Sequence, residues 1–180
     1  MATAASIQEL LDKMAAQRRA LLTQVDGLSE ADAQCAPADA VGEAQWSAKQ
    51  QLAHLAEMET AYRAWVQKAL EDDDPDVAGV SGDRPAIALT EAHAHTIPDL
   101  TAQLRRERET TLAVITQITP EQFERTASQP MFGRLTVMQW LRSYYRHDRM
   151  HCDQMAGRDP EYKPKFVGGN EPDQRRGTRT

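Results

Sequence analysis

No stretch of 18 apolar residues occurs anywhere in this 180-residue chain, so nothing in it is expected to span a membrane. A basic start followed by an apolar stretch is missing from MATAASIQELLDKM, so the N-terminus does not read as a secretory signal. Only two cysteines are present, Cys35 and Cys152, in no metal-binding or redox spacing. They cannot build a disulfide scaffold, and a reducing cytoplasm is the expected setting. Long basic runs are also missing: Lys plus Arg is 21 against 27 Asp plus Glu, a net charge of −6, which disfavours nucleic acid as a partner. Strand-type alternation is not evident, and only nine glycines interrupt the chain.

What remains is rich in Ala, Leu, Gln, Glu, Arg and Met, all good helix formers. Apolar residues make up 41%, enough for one buried core at this length. The expectation is an all-α chain with one domain over residues 1–157 and a polar, mobile tail over 158–180.

Four segments carry helical periodicity. The first, near 6–28, repeats Ile7, Leu11, Met14, Leu21, Val25 and Leu28, with Arg18 interrupting the stripe. The second begins after Ser47, which with Gln50 forms a partial capping box, and its apolar arc is Leu55, Met58, Tyr62, Trp65 and Ala69. His54 lies at the inward edge of that arc. The third starts near Pro98 and carries Leu100, Leu104, Thr111, Ile115 and Ile118, with Arg108 inside the stripe. The fourth is capped by Thr136 and ends before Gly157, with Val137, Trp140, Leu141, Tyr144, His151 and Met155 on one face. Four helices of this size with moderate connections make a four-helix bundle.

The acidic connection around Asp72, Asp74 and Asp76 mimics a calcium loop only in part. Val77 stands where a glycine must turn the chain, and Asp83 stands where a glutamate would ligate.

His147 and His151 are four apart, so their imidazoles share a helix face one turn apart. Burying two imidazoles side by side without an acceptor is costly, and a cation that both ligate removes the cost. His54 is the one other mid-helix histidine and is the candidate third ligand. Three neutral imidazoles leave a coordination position open, the catalytic arrangement, and favour zinc or nickel among divalent metals. Glu57 and Asp148 are candidates to orient the imidazoles. Tyr144 could donate to a bound group, and Arg18 and Arg108 could hold a substrate carboxylate at a cavity mouth. His93 and His95 precede the third helix and read as loop residues.

These segments carry a resemblance. Gln45-Trp46-Ser47 leading into Leu52-Ala53-His54-Leu55, and Gly133-Arg134-Leu135-Thr136-Val137 leading into His147-Asp148-Arg149-Met150-His151-Cys152-Asp153-Gln154, resemble the second- and fourth-helix signatures of the DinB-like (DinB/YfiT) superfamily. The resemblance covers roughly residues 6–156 in the right order. It implies an up-down-down-up four-helix bundle with a long crossover, and a metal triad that falls on His54, His147 and His151. It also implies a homodimer and a small-molecule substrate. The activity it suggests is thiol-dependent, as in mycothiol-dependent maleylpyruvate isomerase, bacillithiol S-transferases and relatives in ergothioneine synthesis, so a low-molecular-weight thiol is an expected partner. The expected class is therefore a metal-dependent transferase, isomerase or hydrolase. A non-enzymatic metal-binding or stress-response bundle is the alternative.

Overall fold

The computed structural model describes residues 1–38, 40 and 42–163, together with a short strand at 174–175. Four long helices dominate: α1 (Ala4–Asp26), α2 (Ala48–Glu71), α3 (Ile97–Ile115) and α4 (Val137–Met155). The same local chemistry starts each one. Thr3 with Ser6, Ser47 with Gln50, Thr96 with Asp99 and Thr136 with Gln139 form reciprocal capping boxes, each satisfying two amides that the first turn would leave unpaired. Pro98 sits in the first turn of α3, one residue inside the observed start, and Gly157 closes α4 at φ +65°.

Cross-helix contacts set the directions. On α1 and α4, Arg18 meets Asp148 and Gln24 meets Cys152, so these helices run parallel. On α2 and α3, Lys49 reaches the His95 carbonyl just before α3 and Arg63 reaches Glu107, so these also run parallel. His54 packs on His151 while Tyr62 packs on Tyr144, so α2 opposes α4. The topology is up-down-down-up, and the parallel neighbours α2 and α3 need the long connection over 72–96.

The core has two apolar parts. One gathers Met14, Tyr62, Trp65, Phe123, Phe132, Trp140 and Tyr144; the other gathers Leu21, Val25, Leu52, Leu55, Leu100, Leu104 and Cys152. On α1 the buried stripe is Leu10, Met14, Arg18, Leu21, Leu22 and Val25, with Ile7 and Leu11 at its border.

The expectation that strand structure is absent needs correcting. β1 (Thr126–Gln129) pairs antiparallel with β2 (Gly133–Thr136), and Ala127 opposite Leu135 buries one face. Gly133 at φ +79° allows the return, and Phe132 at the tip packs against Trp65 and Trp140. Each strand has four residues, too few for alternation to show in sequence. β1 also pins the acidic connection, as the Val77 amide donates to the Ser128 carbonyl and the Ser128 amide to that of Pro75. There, Asp74 pairs with Arg134 and Asp72 with Lys68.

After Gly157 the chain folds back along α4. Arg158 pairs with buried Asp153, and Tyr162 packs on Tyr145, where β3 (Tyr162–Lys163) meets β4 (Gln174–Arg175). The rest of the expected mobile tail lies outside the described residues.

Candidate metal centre

The site is built at the seam between α2 and α4. His54 comes from the second turn of α2, and His147 and His151 from successive turns of α4. Their rings stand 4.6 to 5.3 Å apart, centroid to centroid. A fourth side chain joins them. Glu43 lies in a short 3-10 turn, Gly42–Gln45, ahead of α2. One ligand atom from each of Glu43, His54, His147 and His151 lies within 4.8 Å of the others. The Nε2 atoms of His147 and His151 approach to 2.9 Å. The Glu43 oxygens lie 3.5 Å from His54 Nε2 and 3.8 Å from His151 Nε2.

The imidazoles are held neutral. Burial pushes His54 down to about 4 and pushes His147 and His151 well below the ordinary histidine range. At neutral pH, Glu43 and His54 therefore form no charged pair. Nε2 of His54 is buried and has no hydrogen-bond partner among the described residues. An orphaned ring nitrogen there is costly unless a cation takes its lone pair.

A hydrogen-bond chain sets the tautomer of His151. The Gln51 side-chain amide donates to the Trp46 carbonyl at 3.0 Å, which leaves its oxygen to accept from His151 Nδ1–H at 3.1 Å. The His151 Nε2 lone pair then points into the cluster. This is the orienting role expected of a residue behind a ligating histidine. Trp46 also packs edge-on against the His54 ring, at 4.7 Å. Nitrogen and carboxylate donors at this spacing have the chemistry to hold a divalent cation.

The other candidate residues lie elsewhere. Glu57 accepts from the Leu89 amide at 2.9 Å. Asp148, one residue beyond His147, faces away from the imidazoles. It joins Arg18, Glu59 and Arg108, one residue from each helix, in a buried ion quartet. Arg18 grips Asp148 through Nε (3.0 Å) and Nη2 (2.9 Å) and reaches Glu59 at 2.6 Å. Arg108 bridges Glu59 at 2.6 Å and Asp148 at 3.0 Å. Their remaining Nη1 donors go to the Leu104 and Met14 carbonyls. Burial alone would ease the proton off Arg18, but Asp148 and Glu59 outweigh it and raise its affinity for that proton. Both arginines line a groove of about 740 Å³ at the opposite seam, between α1 and α3. The Tyr144 hydroxyl donates to the Glu59 carbonyl at 3.3 Å, and burial pushes its ionisation up.

His93 and His95 are outside the cluster. His93 shares a 2.8 Å hydrogen bond with the Ser47 hydroxyl, and the His95 carbonyl accepts from Lys49. Sequence reasoning did not single out Glu43 or Gln51. Glu43 sits in an aperiodic turn with no spacing signal. Gln51, a polar residue one helical turn before His54, was the one available hint.

Fold and site together define a four-helix bundle with a buried imidazole–carboxylate cluster at the α2–α4 seam. The profile of the DinB superfamily matches residues 13–155, and the chain belongs to that superfamily. An uncharacterised protein of Bacillus subtilis (strain 168), YuaE, is 27% identical over 122 residues, spanning 62% of this chain and 75% of YuaE. The solved structure of YfiT from Bacillus subtilis superposes with a TM-score of 0.70 at 16% identity, covering 87% of each chain. YfiT is described as "a probable metal-dependent hydrolase with an unusual four-helix bundle topology". At that identity the likeness is one of fold. Among the described residues, no helix is long and apolar enough to cross a membrane.

Proposed function

We propose that this protein is a metal-dependent enzyme that holds a divalent ion, zinc or nickel, through His54, His147 and His151, and turns over a small-molecule substrate by hydrolysis or thiol transfer. The observation that carries the reading is the buried, partnerless Nε2 of His54 facing two further neutral imidazoles. A divalent ion held there lowers the pKa of water or a thiol and polarises a carbonyl. The protein's own part is positional. Gln51 holds His151 in one tautomer, Trp46 packs against His54, and the α4 register keeps His147 and His151 on one face.

Hydrolysis agrees with the description of YfiT. Thiol transfer, with a low-molecular-weight thiol as co-substrate, comes from the family resemblance, as does a homodimer. Titrating the cobalt-substituted protein with small physiological thiols separates the two. A sulfur-to-metal charge-transfer band that disappears in His151→Ala supports thiol transfer. No band with any thiol, together with turnover of ester or amide substrates, assigns hydrolysis. Metal loading without turnover in either screen would favour the binding-only alternative.

A further inference from the structure

The three imidazoles come from two rigid helices, whereas Glu43 comes from the connection ahead of α2. That difference in origin is matched by a difference in exposure. The Glu43 side chain is 35% exposed, against 11% for His54 and 0% for His151. Of the four side chains in the cluster, this carboxylate is the most open to solvent.

The carboxylate is aimed. Gly42, at φ +61°, takes a left-handed turn that a residue with a Cβ adopts only with strain, and Glu43 follows it directly. The turn is closed by the Trp46 amide donating to the Glu43 carbonyl at 3.1 Å, and Trp46 is itself held by Gln51 and by packing on His54. The side chain then sends one oxygen toward His54 and the other toward His151. At 3.5 and 3.8 Å these gaps are too long for hydrogen bonds. They are close to the separation of about 3.3 Å between two donors on one tetrahedral ion with bonds near 2.05 Å.

We propose that Glu43 is a detachable fourth ligand. It closes the coordination sphere of the resting protein, and it gives way to a carboxylate or similar small oxyanion on the substrate. The proposal rests on the metal-site reading above. It adds that the site's occupant from solvent is an anion that replaces a side chain of the same chemistry. No bond to carbon is made or broken in this exchange: one carboxylate leaves the ion and another takes its place.

The test uses the full-length, tag-free protein loaded with cobalt, followed by its visible spectrum and titrated with acetate. In the wild type the spectrum should be the intense one of a four-coordinate ion and should respond weakly to acetate. In Glu43→Ala its bands should shift as water replaces the carboxylate. Acetate should then restore them, with an affinity at least tenfold higher than in the wild type. Gly42→Ala, which leaves every ligand in place but strains the turn that aims Glu43, should fall between the two. The metal-free circular dichroism of both variants should match the wild type, since neither residue lies in a bundle helix. Identical spectra and identical acetate affinity in wild type and Glu43→Ala would overturn the fourth-ligand role while leaving the three-histidine site standing. Failure of the wild type to take up cobalt would overturn both.

Discussion

Two buried polar clusters sit within a few residues of each other in this bundle, and they are built on opposite principles. The quartet of Arg18, Glu59, Arg108 and Asp148 has two charges of each sign, and its guanidinium groups are paired to carboxylates or to backbone carbonyls. It is complete as it stands. The cluster of His54, His147 and His151 is made of neutral rings, two of them nitrogen to nitrogen and one with no partner for its Nε2. The quartet satisfies its own electrostatics, whereas the histidine cluster leaves a buried ring nitrogen without a partner among the described residues. That contrast separates a structural lock from a binding site more sharply than residue type does, because both clusters are polar, buried and spread over several helices.

The largest expected effect comes from breaking the quartet. Asp148→Ala leaves two buried guanidiniums sharing the single carboxylate of Glu59 and should cost about 3–5 kcal/mol, as for other broken buried ion pairs. Denaturant unfolding of the metal-free protein measures it. The neighbouring His147→Ala strands no charge and should cost clearly less in the same assay. Equal costs would erase the distinction between the clusters.

Acid should act next, and on the histidines. Their folded pKa values lie below the unfolded value near 6.5, so the unfolded chain takes up protons first as pH falls. The metal-free protein should lose stability on going from pH 7.5 to 5.5, by about 1.4 kcal/mol per imidazole and so about 4 kcal/mol for three. His54 stops contributing to this slope near its folded value of about 4. A flat stability profile across this range would show that the imidazoles are not held neutral by burial.

Metal removal should have a moderate effect. At 100 times its dissociation constant, an ion binding only the folded state adds about 2.7 kcal/mol. Chelation should lower the melting temperature and leave helical circular dichroism at room temperature intact, because neither apolar part of the core includes a residue of the site. Complete unfolding by a chelator at room temperature would contradict this. The smallest effect belongs to Gln51→Leu, which removes the acceptor for His151 Nδ1–H. Metal affinity should weaken about 10–100-fold, with little change in the metal-free melting curve.

Much of the architecture was legible in the sequence because the local chemistry is repeated. Ser47 with Gln50 three residues on marked the start of α2, Thr136 marked that of α4, and the apolar stripes marked the inner faces. His147 and His151 stood out by their spacing of four, and His54 as the one other mid-helix histidine. What was not legible depends on pairing across the fold. Arg18 and Arg108 were visible as charges interrupting apolar stripes, yet nothing in their spacing names Glu59 and Asp148 as partners on two other helices. Asp148 seemed placed to orient His147 by adjacency, but neighbours in a helix point about 100° apart, and this one turns to the arginines. Glu43 reaches the site through a left-handed glycine turn rather than a helical period, so periodicity could not find it.

The central claim is that the histidine cluster is incomplete without a cation. Elemental analysis of tag-free protein, purified without added metal and then offered zinc or nickel, tests it most directly. The account predicts one divalent ion per chain, lost in His54→Ala and in His151→Ala but kept in Glu57→Ala. Wild-type protein that stays metal-free after exposure to both ions would contradict it.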